Sequence, residues 1–235
     1  MKLVLALFTL IGALLAGQLC CPGSALASDP PREAYDAEAA ADGDVTELPD
    51  ENPSSADLPP AQGETMTTRV VLETTKGDIV LEVHPDWSPI GAAHFIELVN
   101  AGFYDGAPWF RVLDGFVAQC GIAADPALNE EWSDETIKDE PVVQGNKPGF
   151  VAFGKSGLPD SRSTHIFINY GDNSYGLDGQ GFSCFAEVVE GMDVAKKLYR
   201  AEYNDQGGLA GPGGMERFRQ KFPQADYINK AHVQE

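Results

Sequence analysis

Apolar and polar residues alternate in two runs at the start of the central part of the chain. They span positions 68–73 and 77–84, which are rich in β-branched residues and are separated by Thr74, Thr75 and Lys76. Alternation with a period of two is typical of strands that have one buried face. The pattern therefore predicts a β-hairpin at the start of this region.

Helical spacing follows the hairpin. Ser88 is a favourable N-cap, Pro89 suits the first helical position, and Gly102 can adopt the left-handed conformation that ends a helix. Apolar residues recur between them at the spacing of one helix face, at Ala92, Phe95, Ile96 and Val99. A second helix is predicted from about Asp193 to Leu198.

Short apolar runs, cut by Gly, Pro, Asn and Asp, make up most of the remaining chain. They span 109–112, 116–119, 149–153, 165–169 and 182–188. Many short strands with frequent turns favour an antiparallel barrel over a parallel α/β sheet. No internal repeat is visible, and one folded domain is predicted over positions 67–235.

The first 27 residues have the form of a secretory signal peptide. Lys2 is basic, positions 3–19 are apolar, and positions 25–27 have the small-x-small pattern of a cleavage site. We therefore expect export to the periplasm or the exterior, cleavage near Ala27 and no stable membrane insertion afterwards. An uncleaved membrane anchor is the main alternative, and lipoprotein processing is a minor one.

Acidic residues dominate the charge of the chain, which has 36 Asp and Glu against 16 Lys and Arg and a net charge of −20. Positions 28–66 contain one aromatic residue, Tyr35, and many Asp, Glu, Ala and Pro. Such a segment buries too little apolar surface to offset the entropy of ordering, so it is predicted to be a disordered acidic spacer. The charge also argues against nucleic acid as a partner, because phosphate binding needs a clustered basic face.

Motifs for nucleotides, metals and nucleophiles are missing from the sequence. It contains no Walker loop, no H-E-x-x-H, no C-x-x-C and no G-x-S-x-G, and its four histidines are scattered. No metal or organic cofactor is therefore predicted. Signal cleavage would leave only Cys120 and Cys184, and the sequence leaves open whether these two pair.

Four segments of the chain resemble one known family. They read, in order, WFRVLDGFVAQCG, GFVAFGKSG, SRSTHIFIN and GLDGQGFSCFAEVVEGMDV. Together they resemble a bacterial-type cyclophilin peptidyl-prolyl cis-trans isomerase over roughly Val70 to Leu198. The resemblance implies a mainly β fold, a closed antiparallel cyclophilin-like β-barrel of about eight strands capped by two α-helices. It also implies an exported, cofactor-independent enzyme that isomerises X-Pro bonds and so assists the folding of other exported proteins.

The resemblance assigns catalytic roles to Arg111, Phe116 and Gln119. Arg111 matches the arginine that lies over the prolyl peptide bond, where its donors can bond the prolyl nitrogen in the twisted transition state. Gln119 matches the glutamine that hydrogen-bonds the substrate backbone. The other matching positions of the groove are expected to bind substrate: Val117, Gly154, Lys155, His165, Phe167, Leu177 and Phe182.

Two of the departures of this groove from the family pattern bear on its activity. His165 replaces a glutamine, so its charge is expected to make turnover decline as the pH falls from about 8 to 5. Gly154 and Lys155 stand where the family usually has a pair of other residues whose backbone binds the substrate peptide. These differences keep an alternative open, a proline-peptide-binding module or chaperone with little catalytic activity. For Arg111 the alternative is a structural ion pair, and for His165 it is a structural role within the barrel.

Expected partners are proline-containing polypeptides and cyclosporin-like ligands, with the protein itself a monomer. From about position 205 the chain has a Gly/Pro-rich hinge and a short amphipathic stretch, similar to the tail of some bacterial members. This extension is predicted to pack back on the barrel through Phe218, Phe222 and Tyr227. The alternative is a partner-binding arm.

Overall fold

A computed structural model describes residues 66–234 of the chain. The predicted signal peptide and the predicted acidic spacer up to position 65 lie outside the described residues, so both remain predictions. Within residues 66–234, no helix has both the length and the apolar character needed to cross a membrane.

Eight strands of the described residues form one antiparallel sheet. They are β1 Thr68–Thr74, β2 Gly77–Val83, β3 Arg111–Leu113, β4 Val117–Cys120, β5 Phe150–Phe153, β6 Ile166–Asn169, β7 Cys184–Glu190 and β8 Ile228–Val233. Their order across the sheet is β3-β4-β6-β5-β7-β2-β1-β8. The predicted hairpin is confirmed, because Thr68 pairs with Val83 and Thr74 with Gly77.

The predicted closed barrel is wrong, since the curled sheet is open between its edge strands. Among the described residues, β3 and β8 form no ladder with each other. The outer edge of β3 instead hydrogen-bonds to the segment between β7 and β8, where the amide of Val112 donates to the carbonyl of Ala201 at 2.6 Å. β3 is only three residues long, so little strand is available to close the barrel by a continuous ladder.

Within the described range 66–234, six α-helices accompany the sheet. They are α1 Pro89–Asn100, α2 Pro126–Trp132, α3 Ser174–Leu177, α4 Met192–Ala195, α5 Gln206–Ala210 and α6 Gly214–Lys221. The first predicted helix is confirmed, and Gly102 has the expected left-handed conformation with φ +69°. The second predicted helix begins at Met192 and ends at Ala195, three residues before the predicted end at Leu198.

A distant glutamate caps the first helix. Ser88 occupies the N-cap position, but its side chain makes no capping bond to the helix backbone. Glu140 instead accepts hydrogen bonds from the amides of Ile90 at 2.7 Å and Gly91 at 3.0 Å. It also accepts from the Ser88 hydroxyl and, at 2.9 Å, from the fully buried Arg162. Burial by itself raises the pKa of Glu140, but these four donors outweigh it and hold the pKa below its ordinary value.

The C-terminal extension builds a second apolar cluster beside the main core. Its buried members are Phe110, Ile122, Tyr203, Leu209, Phe218 and Ala225. Phe222 and Tyr227 pack against this cluster, so the predicted packing of the extension is confirmed. Phe110 immediately precedes β3, and the extension is therefore packed directly behind the strand that carries Arg111.

Both cysteines of the described region are free and buried. Burial raises the pKa of the Cys184 thiol to about 12, and it raises the pKa of Cys120 as well. Since the thiolate is the reactive form, neither side chain is suited to act as a nucleophile at neutral pH.

Candidate active site

A cavity of about 390 Å³ lies against strands β3, β4 and β6. All ten site residues predicted from the sequence line it: Arg111, Phe116, Val117, Gln119, Gly154, Lys155, His165, Phe167, Leu177 and Phe182. Sequence reasoning missed four further lining residues: Ser156, Ser161, Ser163 and Gln206. Gln206 comes from α5 of the C-terminal extension, where no local pattern indicated a role in the site.

Strand register aligns the central side chains of the cavity. Arg111 on β3 is the direct partner of Gln119 on β4, and Gln119 is the direct partner of Phe167 on β6. Side chains of directly paired residues project to the same face of a sheet. The pairing therefore sets a guanidinium, an amide and an aromatic ring side by side, although they are far apart in the sequence.

Arg111 has no ionic partner in the described part of the chain. No carboxylate oxygen of residues 66–234 lies within 4.0 Å of its guanidinium, in contrast to Arg69, Arg162 and Arg200. Its Cζ atom lies 5.4 Å from the centroid of the Phe116 ring, a cation–π contact. The structural ion pair that was the alternative for Arg111 is therefore not found among residues 66–234, and Arg111 is one of the residues that line the cavity.

Apolar side chains form one end of the cavity. Val117, Phe167 and Cys184 are buried there with Ala152, and the surrounding residues are Phe116, Phe150, Leu177 and Phe182. Phe167 is 5% exposed and meets the Phe182 ring edge-on, with 5.8 Å between centroids. A small apolar ring placed against these side chains would lose water-exposed surface, which favours its binding.

Lys155 is fixed by an ion pair at the cavity wall. Its Nζ lies 2.9 Å from Oδ2 of Asp139, and this hydrogen bond holds the pKa of Asp139 below its ordinary value. The amide of Asp160 donates to the same oxygen at 3.2 Å. The ammonium group is thus held by the protein itself, and the loop that follows β5 is tied to the segment around Asp139.

Gly154 leaves room for two cavity side chains. A Cβ atom at this position would lie 3.2 Å from Nε2 of Gln119 and 3.2 Å from Cβ of His165, closer than ordinary van der Waals contact. The amide of Gly154 also donates to the carbonyl of His165 at 2.8 Å. The glycine and the histidine, two of the departures from the family pattern, are therefore in direct contact with each other.

His165 lies in an apolar part of the cavity wall. Its ring centroid is 5.3 Å from that of Phe110, and burial lowers its pKa to about 4. The expected change of charge between about pH 5 and 8 is therefore wrong, because desolvation disfavours the imidazolium form. The histidine is neutral over that range, and its side chain offers a neutral donor and acceptor to the cavity.

This low pKa leads to a prediction about stability. In the unfolded chain the histidine takes up its proton near its ordinary pKa of 6.5, whereas in the native state it does so only near 4. Between those values the unfolded state binds more protons, so native stability is lost as the pH falls. We expect His165→Gln to remove this loss, which amounts to up to about 3 kcal/mol at pH 4 relative to pH 7.

Urea unfolding at several pH values between about 7 and 4 measures the effect. His232→Gln, which removes a half-exposed histidine beside Glu73, is the matched control and should follow the wild-type profile. Parallel pH profiles for His165→Gln and the wild type would show that His165 has an ordinary pKa.

Comparison with known proteins places the chain in a family. The model of the family described as cyclophilin type peptidyl-prolyl cis-trans isomerase/CLD matches residues 69–221. Peptidyl-prolyl cis-trans isomerase B of Escherichia coli (strain K12) is 33% identical over 167 residues, covering 68% of this chain and 94% of the relative. Peptidyl-prolyl cis-trans isomerase A of Dickeya dadantii is 32% identical over 154 residues, covering 63% of this chain and 80% of the relative.

Solved structures with the same fold include two from organisms distant from each other. A Cryptosporidium parvum cyclophilin type peptidyl-prolyl cis-trans isomerase has a TM-score of 0.55 and 16% identity, covering 72% of this chain and 99% of that chain. The cyclophilin AquaCyp293 from Hirschia baltica has a TM-score of 0.53 and 19% identity, covering 70% and 73%. At these identities the likeness establishes a shared fold.

Proposed function

The chain belongs to the cyclophilin-type peptidyl-prolyl cis-trans isomerase family, and from this premise we propose that Arg111 is the centre of X-Pro isomerisation in its cavity. The geometry that carries this proposal is a guanidinium that has no carboxylate partner among residues 66–234 and that is set in register with Gln119 beside an apolar recess. We extend the proposal to exported client proteins, which is supported by the signal-peptide pattern of the first 27 residues.

Rotation about the prolyl bond is slow because the planar amide is stabilised by resonance, which sets a barrier of about 18–20 kcal/mol. As the bond twists, the prolyl nitrogen loses that resonance and gains a lone pair. The guanidinium of Arg111 can donate to this lone pair in the transition state, but it has no such acceptor in the planar ground state. An interaction made only in the transition state lowers the barrier.

The remaining cavity residues hold the substrate for this rotation. Phe116, Phe167 and Leu177 bound the recess that receives the proline ring, and Gln119 lies beside Arg111 to hydrogen-bond the peptide backbone. Rotation forms and breaks no covalent bond, so the enzyme needs neither a nucleophile nor a cofactor. The low reactivity of the two buried thiols agrees with this mechanism.

A proline-peptide-binding module with little turnover is the alternative from the sequence. Such a module needs the apolar recess, but it gains nothing from a guanidinium aimed at the prolyl nitrogen. Lys155 and His165 are the departures that suggested it, yet Lys155 is held by Asp139 and His165 is neutral at physiological pH. Both side chains are compatible with turnover.

An isomerisation assay on the full chain tests the proposed function. We expect the cis-to-trans rate of a short X-Pro peptide to rise in proportion to enzyme concentration, measured by cleavage of the trans form with a coupled protease. Exchange NMR on the same peptide reports binding and isomerisation together, and heat-denatured protein is the control. Binding that shifts the peptide resonances and leaves the exchange rate unchanged would identify a binding module instead.

A further inference from the structure

Three ligand-type side chains meet on the sheet away from the cavity. Nε2 of His84 lies 3.4 Å from Oε1 of Glu187 and 3.7 Å from Oε1 of Glu82. One atom from each residue lies within 4.8 Å of the others. Glu82 on β2 and Glu187 on β7 are direct partners in the sheet, and His84 follows Glu82 by two positions, which places it on the same face. Strand pairing therefore holds the three groups together.

Surrounding contacts fix the orientation of the His84 ring. The ring stacks on Trp87 with 3.7 Å between centroids and 8° between planes, and Trp87 lies 5.3 Å from Phe150 in turn. Nδ1 of His84 lies 4.0 Å from the carboxylate of Asp86. This distance is too long for a hydrogen bond, so the stacking on Trp87 sets the orientation of the ring. Nε2 is thereby directed at the two glutamates.

The buried Nε2 atom of His84 makes no hydrogen bond of acceptable geometry in the described part of the chain, although Oε1 of Glu187 lies 3.4 Å away. The whole side chain is 12% exposed. A buried polar atom without a partner costs free energy, so its presence calls for an explanation. The second oxygen of Glu82 accepts from Arg69 at 3.4 Å, which leaves Oε1 of Glu82 for a ligand between the three groups.

Separations between these atoms suit a small divalent cation. Bonds from Zn²⁺ to nitrogen and oxygen are about 2.0–2.2 Å, so two ligands of a tetrahedral site lie about 3.3–3.6 Å apart. The observed 3.4 and 3.7 Å are close to this spacing. One imidazole with two carboxylates suits Zn²⁺ and similar transition metals, whereas Mg²⁺ and Ca²⁺ take oxygen ligands.

We propose that Glu82, His84 and Glu187 bind one Zn²⁺ ion, with water completing the coordination. The carboxylates of Asp86 and Glu190 lie nearby and exceed the charge of the single guanidinium of Arg69, so the local field attracts a cation. None of the three ligands lines the cavity that holds Arg111. The ion therefore ties β2 to β7 and stabilises the sheet, independently of isomerisation.

Calorimetric titration of the metal-free full chain with ZnSO₄ tests the site, with thermal unfolding as the second measurement. We expect one saturable site, weakened about 100-fold or more in His84→Gln and about 10-fold in Glu187→Gln, as is typical of losing a ligand or its support. Zn²⁺ at about 100 times Kd should raise the Tm of the wild type by about 5–10 °C, because it binds only the native state. Mg²⁺ at the same concentration should leave the Tm unchanged.

His232→Gln is the matched control. Its Nδ1 lies 3.4 Å from Oε1 of Glu73, on the same face of the sheet but two strands away from β2, and this variant should bind Zn²⁺ like the wild type. Glu187 is 35% exposed, so Glu187→Gln should keep the metal-free Tm and separates loss of metal from loss of fold. Equal Zn²⁺ affinity in the wild type and His84→Gln, or an equal loss in His232→Gln, would overturn the proposal.

Discussion

Replacing Arg111 by alanine is expected to lower kcat/KM for a short X-Pro peptide by about 10²- to 10³-fold, or about 3–4 kcal/mol of transition-state stabilisation. The loss should fall mainly on kcat, because the bond from the guanidinium to the prolyl nitrogen exists only in the twisted state. The fold should persist, since no carboxylate of residues 66–234 loses an ion-pair partner with this change.

Arg111→Lys should recover little of this activity, because an ammonium group does not reproduce the fixed fork of a guanidinium. Arg200→Ala is the matched control, since Arg200 is 68% exposed and its ion pair is with Asp114 on the surface. It should retain wild-type kcat/KM. Normal rates in both Arg111 variants would show that the proposed mechanism is wrong, and unfolding of Arg111→Ala would indicate a structural role instead. The protease-coupled assay and thermal unfolding distinguish these results.

Arg162→Met is expected to destabilise the protein by about 3–5 kcal/mol, because it leaves a buried carboxylate with one charged donor fewer. Arg162 is fully buried and donates to Glu140 at 2.9 Å, to the Ser88 hydroxyl at 3.3 Å and to the carbonyl of Lys138. Methionine keeps much of the volume, so the loss reports mainly the broken bonds. Urea unfolding at neutral pH measures it.

Glu140→Gln combined with Arg162→Met should be less destabilised than the sum of the single variants, since neither charge is then left buried alone. Arg200→Met is the control on a surface ion pair and should cost no more than about 1 kcal/mol. If Arg162→Met lowered the free energy of unfolding by less than about 1 kcal/mol, the hydrogen bonds among Arg162, Glu140 and Ser88 would not be needed to hold α1. The unfolding curves of the wild type and of these four variants, each from the full chain, provide the comparison.

Local patterns predicted the elements that depend only on neighbouring residues. The period-two runs of β1 and β2, the proline at the start of α1 and Gly102 at its end each act within a few positions, so the sequence suffices for them. The four motif segments likewise named the residues that line the cavity, because their order and spacing resemble one family. The Gln206 contribution was missed, since it depends on how the C-terminal extension packs behind β3.

Tertiary structure decided the features that depend on distant partners. The sequence by itself determined the hairpin, the first helix and ten of the fourteen residues that line the cavity, through short-range periodicity and motif order. It left undecided the openness of the sheet, the capping of α1 by Glu140, the absence of an ion pair at Arg111 and the meeting of Glu82 with Glu187. Each of these depends on how segments that are remote in the chain pack together, and the last of them on the register between β2 and β7. The pKa of His165 also depends on tertiary structure, because packing beside Phe110 excludes water from the imidazole ring and so disfavours its charged form.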